Sequence, residues 1–117
     1  MKKLLLKRVY EETSKADGYR ILVDRIWPRG IKKSEANIDL WLKEIAPSNE
    51  LRKWFDHDPN KWIQFRAKYN KELKNKDEEL NIIKQRLKKS TVTLLFGAKD
   101  KEHNQAIVLL EFIQKRN

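Results

Sequence analysis

Tyr19–Gly30, YRILVDRIWPRG, decides how this chain is read, because an apolar run of strand character passes directly into a cluster of polar and rigid residues. Ile21, Leu22 and Val23 suit a buried strand. Asp24, Arg25, Trp27, Pro28, Arg29 and Gly30 crowd its exit, which folding alone does not require. Two guanidiniums offer paired hydrogen bonds to a phosphate or carboxylate, and Gly30 lets backbone come close. Asp24, at the last position of the strand, would orient an arginine or act as a base. Pro28 pushes Trp27 towards an extended conformation, where it serves as a lid on the core or as a stacking platform.

Working outward, Leu4–Tyr10 reads as a first strand and Glu11–Gly18 as a polar turn ending in Asp17-Gly18. The second strand runs from Tyr19 to about Arg25. Its direction relative to the first stays open, since parallel crossovers usually need a dozen or more residues and only about eight are present. From Ser34 the period becomes helical. Ser34 and Asn37–Asp39 are N-cap candidates for a helix with Leu40, Trp41 and Ile45 on one face, stopped by Pro47. Ser48 caps a short helix with Leu51, Trp54 and Phe55 inward, and Asp58-Pro59 reads as a cap followed by proline at the first helical position. Trp62, Phe65, Tyr69 and Leu73 form one helical stripe; Leu80, Ile83 and Leu87 form another, on a helix over Asp77–Lys88. Thr91–Phe96, TVTLLF, is a strand of the kind covered on both faces. A last helix, opened by Asp100 or Glu102, buries Ala106, Ile107, Leu110 and Ile113. The expected fold is α/β: one domain over 1–117, with a small, mainly parallel sheet of about three strands flanked by helices and a helical excursion between strands 2 and 3.

In such sheets ligands bind outside the carboxyl ends of the strands, so the exits at Asp24–Gly30 and at 97–104 should form a composite site. The second exit supplies Lys99, Asp100, His103 and Asn104. At a helix N-terminus Lys99 and Asn104 would complete an anion pocket, and His103 would serve as a base or hydrogen-bond donor. A solvated surface position is the plain alternative for His103. Arg52 lies within reach on its helix. His57, between Asp56 and Asp58, reads either as a site residue or as part of a helix-initiating turn, and Ser48 as a cap.

Composition narrows the classes. The chain has 117 residues and no cysteine, which removes disulfides, thiolate metal sites and cysteine nucleophiles and suits a cytoplasmic setting. Two histidines and scattered acids match no metal-ligand spacing, no cofactor fingerprint is present, and no apolar stretch suits export or a membrane. Lys plus Arg number 27 against 17 Asp plus Glu, a net charge of +10, more than half of it within the first 33 residues. That field favours phosphates and polyanions.

Beyond single residues, DGYRILVDRIWPRG, the APS-x-ELRKWF-x-HDP stretch, the W-x-x-F-x-x-x-Y-x-x-EL helix and TVTLLFGAKDKEHNQA together resemble the YeaO-like group within domain of unknown function 488. The likeness spans the chain and implies a soluble bacterial α/β domain; it carries over no catalytic residues. Relatives often carry Tyr-Ala at Phe96-Gly97, so a tyrosine hydroxyl there is not essential to shared chemistry. Longer relatives have a fuller opening, of which Glu11–Gly18 looks like a trimmed version, which favours a parallel first strand. The leading expectation is a site for an anionic, phosphate-bearing small molecule or nucleotide at Asp24, Arg25, Trp27, Arg29, Gly30, Arg52, His57, Asp58, Lys99, Asp100, His103 and Asn104. Asp24 and His103 would move protons if the ligand is turned over. The alternatives are a nucleic-acid-binding module without sequence preference, and a protein-interaction module built on Trp41–Tyr69.

Overall fold

In the computed structural model, which describes residues 2–115, the run Val92–Phe96 (β4) is buried at every position because it lies inside the sheet. β1 (Leu4–Arg8) flanks it on one side and β2 (Tyr19–Leu22) on the other, and β3 (Leu40–Trp41) joins the free edge of β2. The order is β1-β4-β2-β3 and every pairing is parallel. Four helices follow β3: α1 (Asn49–Phe55), α2 (Trp62–Leu73), α3 (Asp77–Lys89) and, after β4, α4 (Gln105–Lys115). The α/β class and mainly parallel sheet expected from the sequence are therefore present, with the first three helices between β3 and β4.

The sheet has a fourth strand that the pattern does not announce. Leu40 and Trp41, expected on a helix, instead pair with Ile21 and Leu22. Leu42 N–H donates to the Leu22 carbonyl at 2.9 Å and Asp39 N–H to the Arg20 carbonyl at 2.9 Å, while the Asp39 carboxylate accepts from Arg20 N–H at 2.8 Å. A two-residue strand has too few positions to show a period of two, and its hydrogen bonds come from 19 residues upstream or more. The short β1–β2 link is explained as well: β4 lies between these strands, so Glu11–Gly18 does not join neighbours.

Alternation sorts the side chains of the sheet onto two faces. Ile21, Val23, Val92, Leu94 and Phe96 meet the helices in the main core with Phe55, Phe65, Tyr69, Leu73, Ile83, Leu109 and Ile113. Val9, Leu22 and Leu95 face the other way, under Trp27, Ile31, Ile38 and Trp41. The stripe Phe65, Tyr69, Leu73 is buried as its spacing predicts, and the Tyr69 hydroxyl donates to the Ile45 carbonyl at 2.6 Å. Ser48 caps α1, accepting from Leu51 N–H at 3.1 Å, and is fixed in turn by Glu72, whose Oε2 accepts the Ser48 hydroxyl at 2.7 Å. Helix α4 starts later than expected, and its buried set is Ala106, Val108, Leu109, Phe112 and Ile113, with Ile107 and Leu110 only partly covered. It packs against α2 as well as β1 and β4, so its buried arc is turned towards two neighbours, not one.

Trp54 and Trp62 pack partly buried against the core, and the Trp54 ring lies under the ammonium groups of Lys61 at 5.1 Å and Lys68 at 4.5 Å. No helix among the described residues is long and apolar enough to cross a membrane.

Candidate functional site

The register brings three strand ends to one level. Arg8 pairs with Phe96, Leu22 with Leu95, and Val9 and Val23 N–H groups donate to the Phe96 and Leu95 carbonyls at 2.8 and 3.0 Å. Tyr10, Asp24 and Gly97 therefore emerge side by side, at the carboxyl edge where parallel sheets present ligands. They open into a cleft of about 740 Å³, within the range of small-molecule sites. The end of α1 and the start of α4 supply its walls: Arg52, Lys53, Phe55, Asp56 and His57 from one, His103, Asn104 and Gln105 from the other.

Asp24 lines the cleft. Its Oδ2 accepts from Gly97 N–H at 2.8 Å and its Oδ1 from the Gln105 amide, while its own carbonyl accepts from Trp41 Nε1 at 2.7 Å. Burial pushes the carboxyl up to about 6, against the lowering effect of the Gly97 and Gln105 donors and the nearby His57. A Cβ on residue 97 would come within 3.0 Å of Oδ2, so glycine lets the acid sit against the strand end. Among the described residues no ion pair is formed with it.

The cations around it divide into two kinds. Arg25 is committed to structure: its Nε donates to the Pro47 carbonyl and its Nη2 to the Ala46 carbonyl, both at 3.2 Å, pinning the turn before α1. Arg29, Arg52 and Lys53 are exposed at the cleft, and among the described residues no carboxylate forms an ion pair with any of them. Asp56 and His57 follow α1 with φ of 45° and 54°, in the left-handed region, and Asp56 forms the C-cap of that helix by donating its N–H to the Arg52 carbonyl. Two of the three non-glycine residues with positive φ among those described thus line this cleft.

The 97–104 turn satisfies its own groups. Asp100 Oδ1 accepts from Glu102 and His103 N–H at 2.9 and 3.0 Å, and its Oδ2 meets His103 Nδ1 at 2.9 Å. The Glu102 N–H, with His103, holds the Asp100 carboxyl below its usual range. Asn104, almost fully buried, caps α4 by accepting from Ile107 N–H at 3.1 Å and donates to the Asp100 carbonyl. The amides expected to meet an anion here already hold an internal carboxylate. The His103 ring stands edge-on to Trp62, with centroids 5.2 Å apart.

Of the residues singled out from the sequence, the cleft gathers Asp24, Arg25, Arg29, Arg52, His57, His103 and Asn104. Asp100 is attached through His103. Trp27 lies elsewhere, on the opposite sheet face, edge-on to Trp41 at 5.4 Å and donating to the Ile31 carbonyl at 2.7 Å. Gly30 has φ 81° and open space around it, Asp58 caps the turn at Pro59–Lys61 by accepting from Asn60 N–H, and Lys99 is exposed; none of them lines the cleft. Tyr10, Ile26, Lys53, Phe55, Asp56, Phe65, Gly97, Ala98 and Gln105 are lining residues that motif reading passes over. Gln105 had the clearest signal, a polar residue opening an apolar helix next to the second strand exit. Among the described residues no group of three or more histidines and acids could hold a metal ion.

The Escherichia coli (strain K12) uncharacterized protein YeaO is 45% identical over 108 residues, covering 92% of this chain and 94% of its own. Uncharacterized proteins of Mycobacterium bovis (Mb3100c) and Mycobacterium tuberculosis (Rv3073c) are each 37% identical over 109 residues, covering 93% of this chain and 92% of theirs. No solved structure matches. Residues 3–117 match the family described as the inactive DUF488-N3 subclade, and the chain belongs to that family.

Proposed function

We propose that this protein binds a phosphate-bearing small molecule in the cleft at the carboxyl ends of β1, β4 and β2. The carrying observation is the rim: Arg29, Arg52 and Lys53 come from two distant segments to one cavity and, among the described residues, form no ion pair with a carboxylate. Arg25 contributes by holding the wall in place.

Binding without turnover is the better reading. The matching family is described as inactive, and the lining residues include no serine, threonine or cysteine nucleophile. The one hydroxyl among them, on Tyr10, donates to the Arg29 carbonyl at 2.9 Å.

Thermal-shift and calorimetric titration with pyrophosphate and ribose 5-phosphate test this reading. The wild type is expected to respond and an Arg29→Ala/Arg52→Ala double variant to lose most of the response; equal responses reject the rim. The net charge of +10 favours a second reading, attachment to nucleic-acid backbone. Retardation of DNA or RNA at low salt that the double variant leaves unchanged would point to that surface and away from the cleft.

A further inference from the structure

We propose that the part of the cleft beside Asp24 seats a planar nitrogen heterocycle whose N–H edge is read by Asp24 and Gln105, so that the ligand is a nucleotide. The proposal rests on the reading above, in which the rim cations hold the phosphate.

Two parts of the lining suit different chemistry. The exposed cations Arg29, Arg52 and Lys53 form one. The other lining includes Asp24, whose carboxyl repels an anion whenever it is ionised and, among the described residues, forms no ion pair. A phosphate is thereby kept from Asp24. Whatever meets Asp24 must offer hydrogen-bond donors and carry no negative charge, because Asp24 keeps a second lone pair on each oxygen beyond those used by Gly97 and Gln105. Beside it Gln105 gives one amide hydrogen to Asp24, leaving its other hydrogen and its carbonyl oxygen without a partner among the described residues. An acid and a carboxamide held side by side match the mixed donor and acceptor edge of a nucleobase.

The surroundings suit a ring. Phe55 and Phe65, stacked with centroids 4.2 Å apart, line the cavity with Ala46, Pro47 and Ala98. A bare phosphate gains nothing from such walls. Four large apolar side chains are exposed among the described residues, and two of them, Ile26 at 58% and Tyr10 at 46%, border this cleft. Exposed apolar groups gathered at a cavity mark a binding surface more readily than scattered ones do.

Calorimetry at pH 7 on the intact chain separates the two readings, using guanosine 5′-monophosphate, adenosine 5′-monophosphate, guanosine and ribose 5-phosphate. At least one nucleotide is expected to bind tenfold or more tightly than ribose 5-phosphate. Gln105→Ala should reduce that preference at least threefold while leaving ribose 5-phosphate affinity unchanged. Asp24→Asn, which turns one acceptor into a donor, should shift the ranking of the two bases, and guards against a folding defect in the first variant. Equal affinity for nucleotides and ribose 5-phosphate overturns the base seat and leaves the phosphate rim standing. Binding of guanosine as tightly as its monophosphate keeps the seat and removes the rim. No binding of any of the four rejects both.

Discussion

The two ends of β2 each hold a carboxylate withdrawn from water, and they treat it in opposite ways. At the entry, Asp17 is met by Lys7 Nζ at 2.9 Å, by the Arg20 guanidinium and by Ser14 N–H at 3.0 Å. Burial alone would raise its pKa, but the Ser14 amide, Lys7 and Arg20 outweigh that and hold it below the usual range. At the exit, Asp24 has only neutral donors, and burial wins. The magnitudes account for the reversal, since hydrogen bonds to charged partners contribute about 1.5–3 kcal/mol and neutral ones about 1. Cations are not scarce at the exit. Arg25 is turned onto carbonyls and Arg29 and Arg52 face solvent, so an acid that could have been sealed, as Asp17 is, is left beside a cavity. The closed end shows what this sequence builds when only stability is at stake.

The largest test of that contrast is Arg20→Ala. It leaves Asp17 buried with a weakened set of partners and should cost about 3–5 kcal/mol in urea unfolding. A loss below about 1 kcal/mol would mean that the entry is no tighter than the exit. Next comes the pH dependence of Asp24. Its folded pKa of about 6 stands above the ordinary carboxyl value of 3.8, so its contribution to stability is fully present below pH 3.8 and is lost as pH rises through 6. The wild type should lose at most about 3 kcal/mol relative to Asp24→Asn across that window. Asp17 has the opposite sign, contributing above its unfolded value and losing that contribution as acid titrates its lowered pKa; a flat difference curve for Asp24→Asn would remove the contrast.

Two glycines probe the same ends sterically. A Cβ on Gly18, at φ 65°, would lie 2.1 Å from the Thr91 carbonyl oxygen, a backbone atom that cannot swing away, whereas on Gly97 it meets a side-chain oxygen at 3.0 Å. Gly18→Ala should therefore cost roughly 3 kcal/mol and Gly97→Ala about 1, as read from unfolding midpoints. Smallest in stability is Arg52→Ala, within about 0.5 kcal/mol of wild type. Calorimetry with ribose 5-phosphate should nonetheless show about a tenfold loss of affinity, the size of one charge-assisted hydrogen bond. A variant that changes stability and not binding would reverse the assignment of that rim.

Much of this was legible in the residues. The runs ending at Val23 and Phe96 declared buried strands, and Trp62, Phe65, Tyr69 and Leu73 declared a helix, because each burial pattern repeats within a few residues. The polar cluster after Val23 pointed to the strand exit where the cleft lies. What stayed hidden depends on partners remote in sequence. Leu40-Trp41 is a strand only because Ile21 and Leu22 pair with it, and Trp27 falls on the far face because the 24–38 segment folds over Leu22 and Leu95. Arg25 resembles its neighbour Arg29 as a residue type, and only the positions of the Ala46 and Pro47 carbonyls separate a structural guanidinium from a rim one.

The place of β4 between β1 and β2 also constrains how the molecule is made. A chain emerging from the ribosome carries its first two strands for some seventy residues before the element that joins them is synthesised. Nascent Leu4–Arg8 must wait, and stalling before Phe96 leaves an unjoined sheet whose open edges invite aggregation, so assembly of this sheet should follow the synthesis of β4.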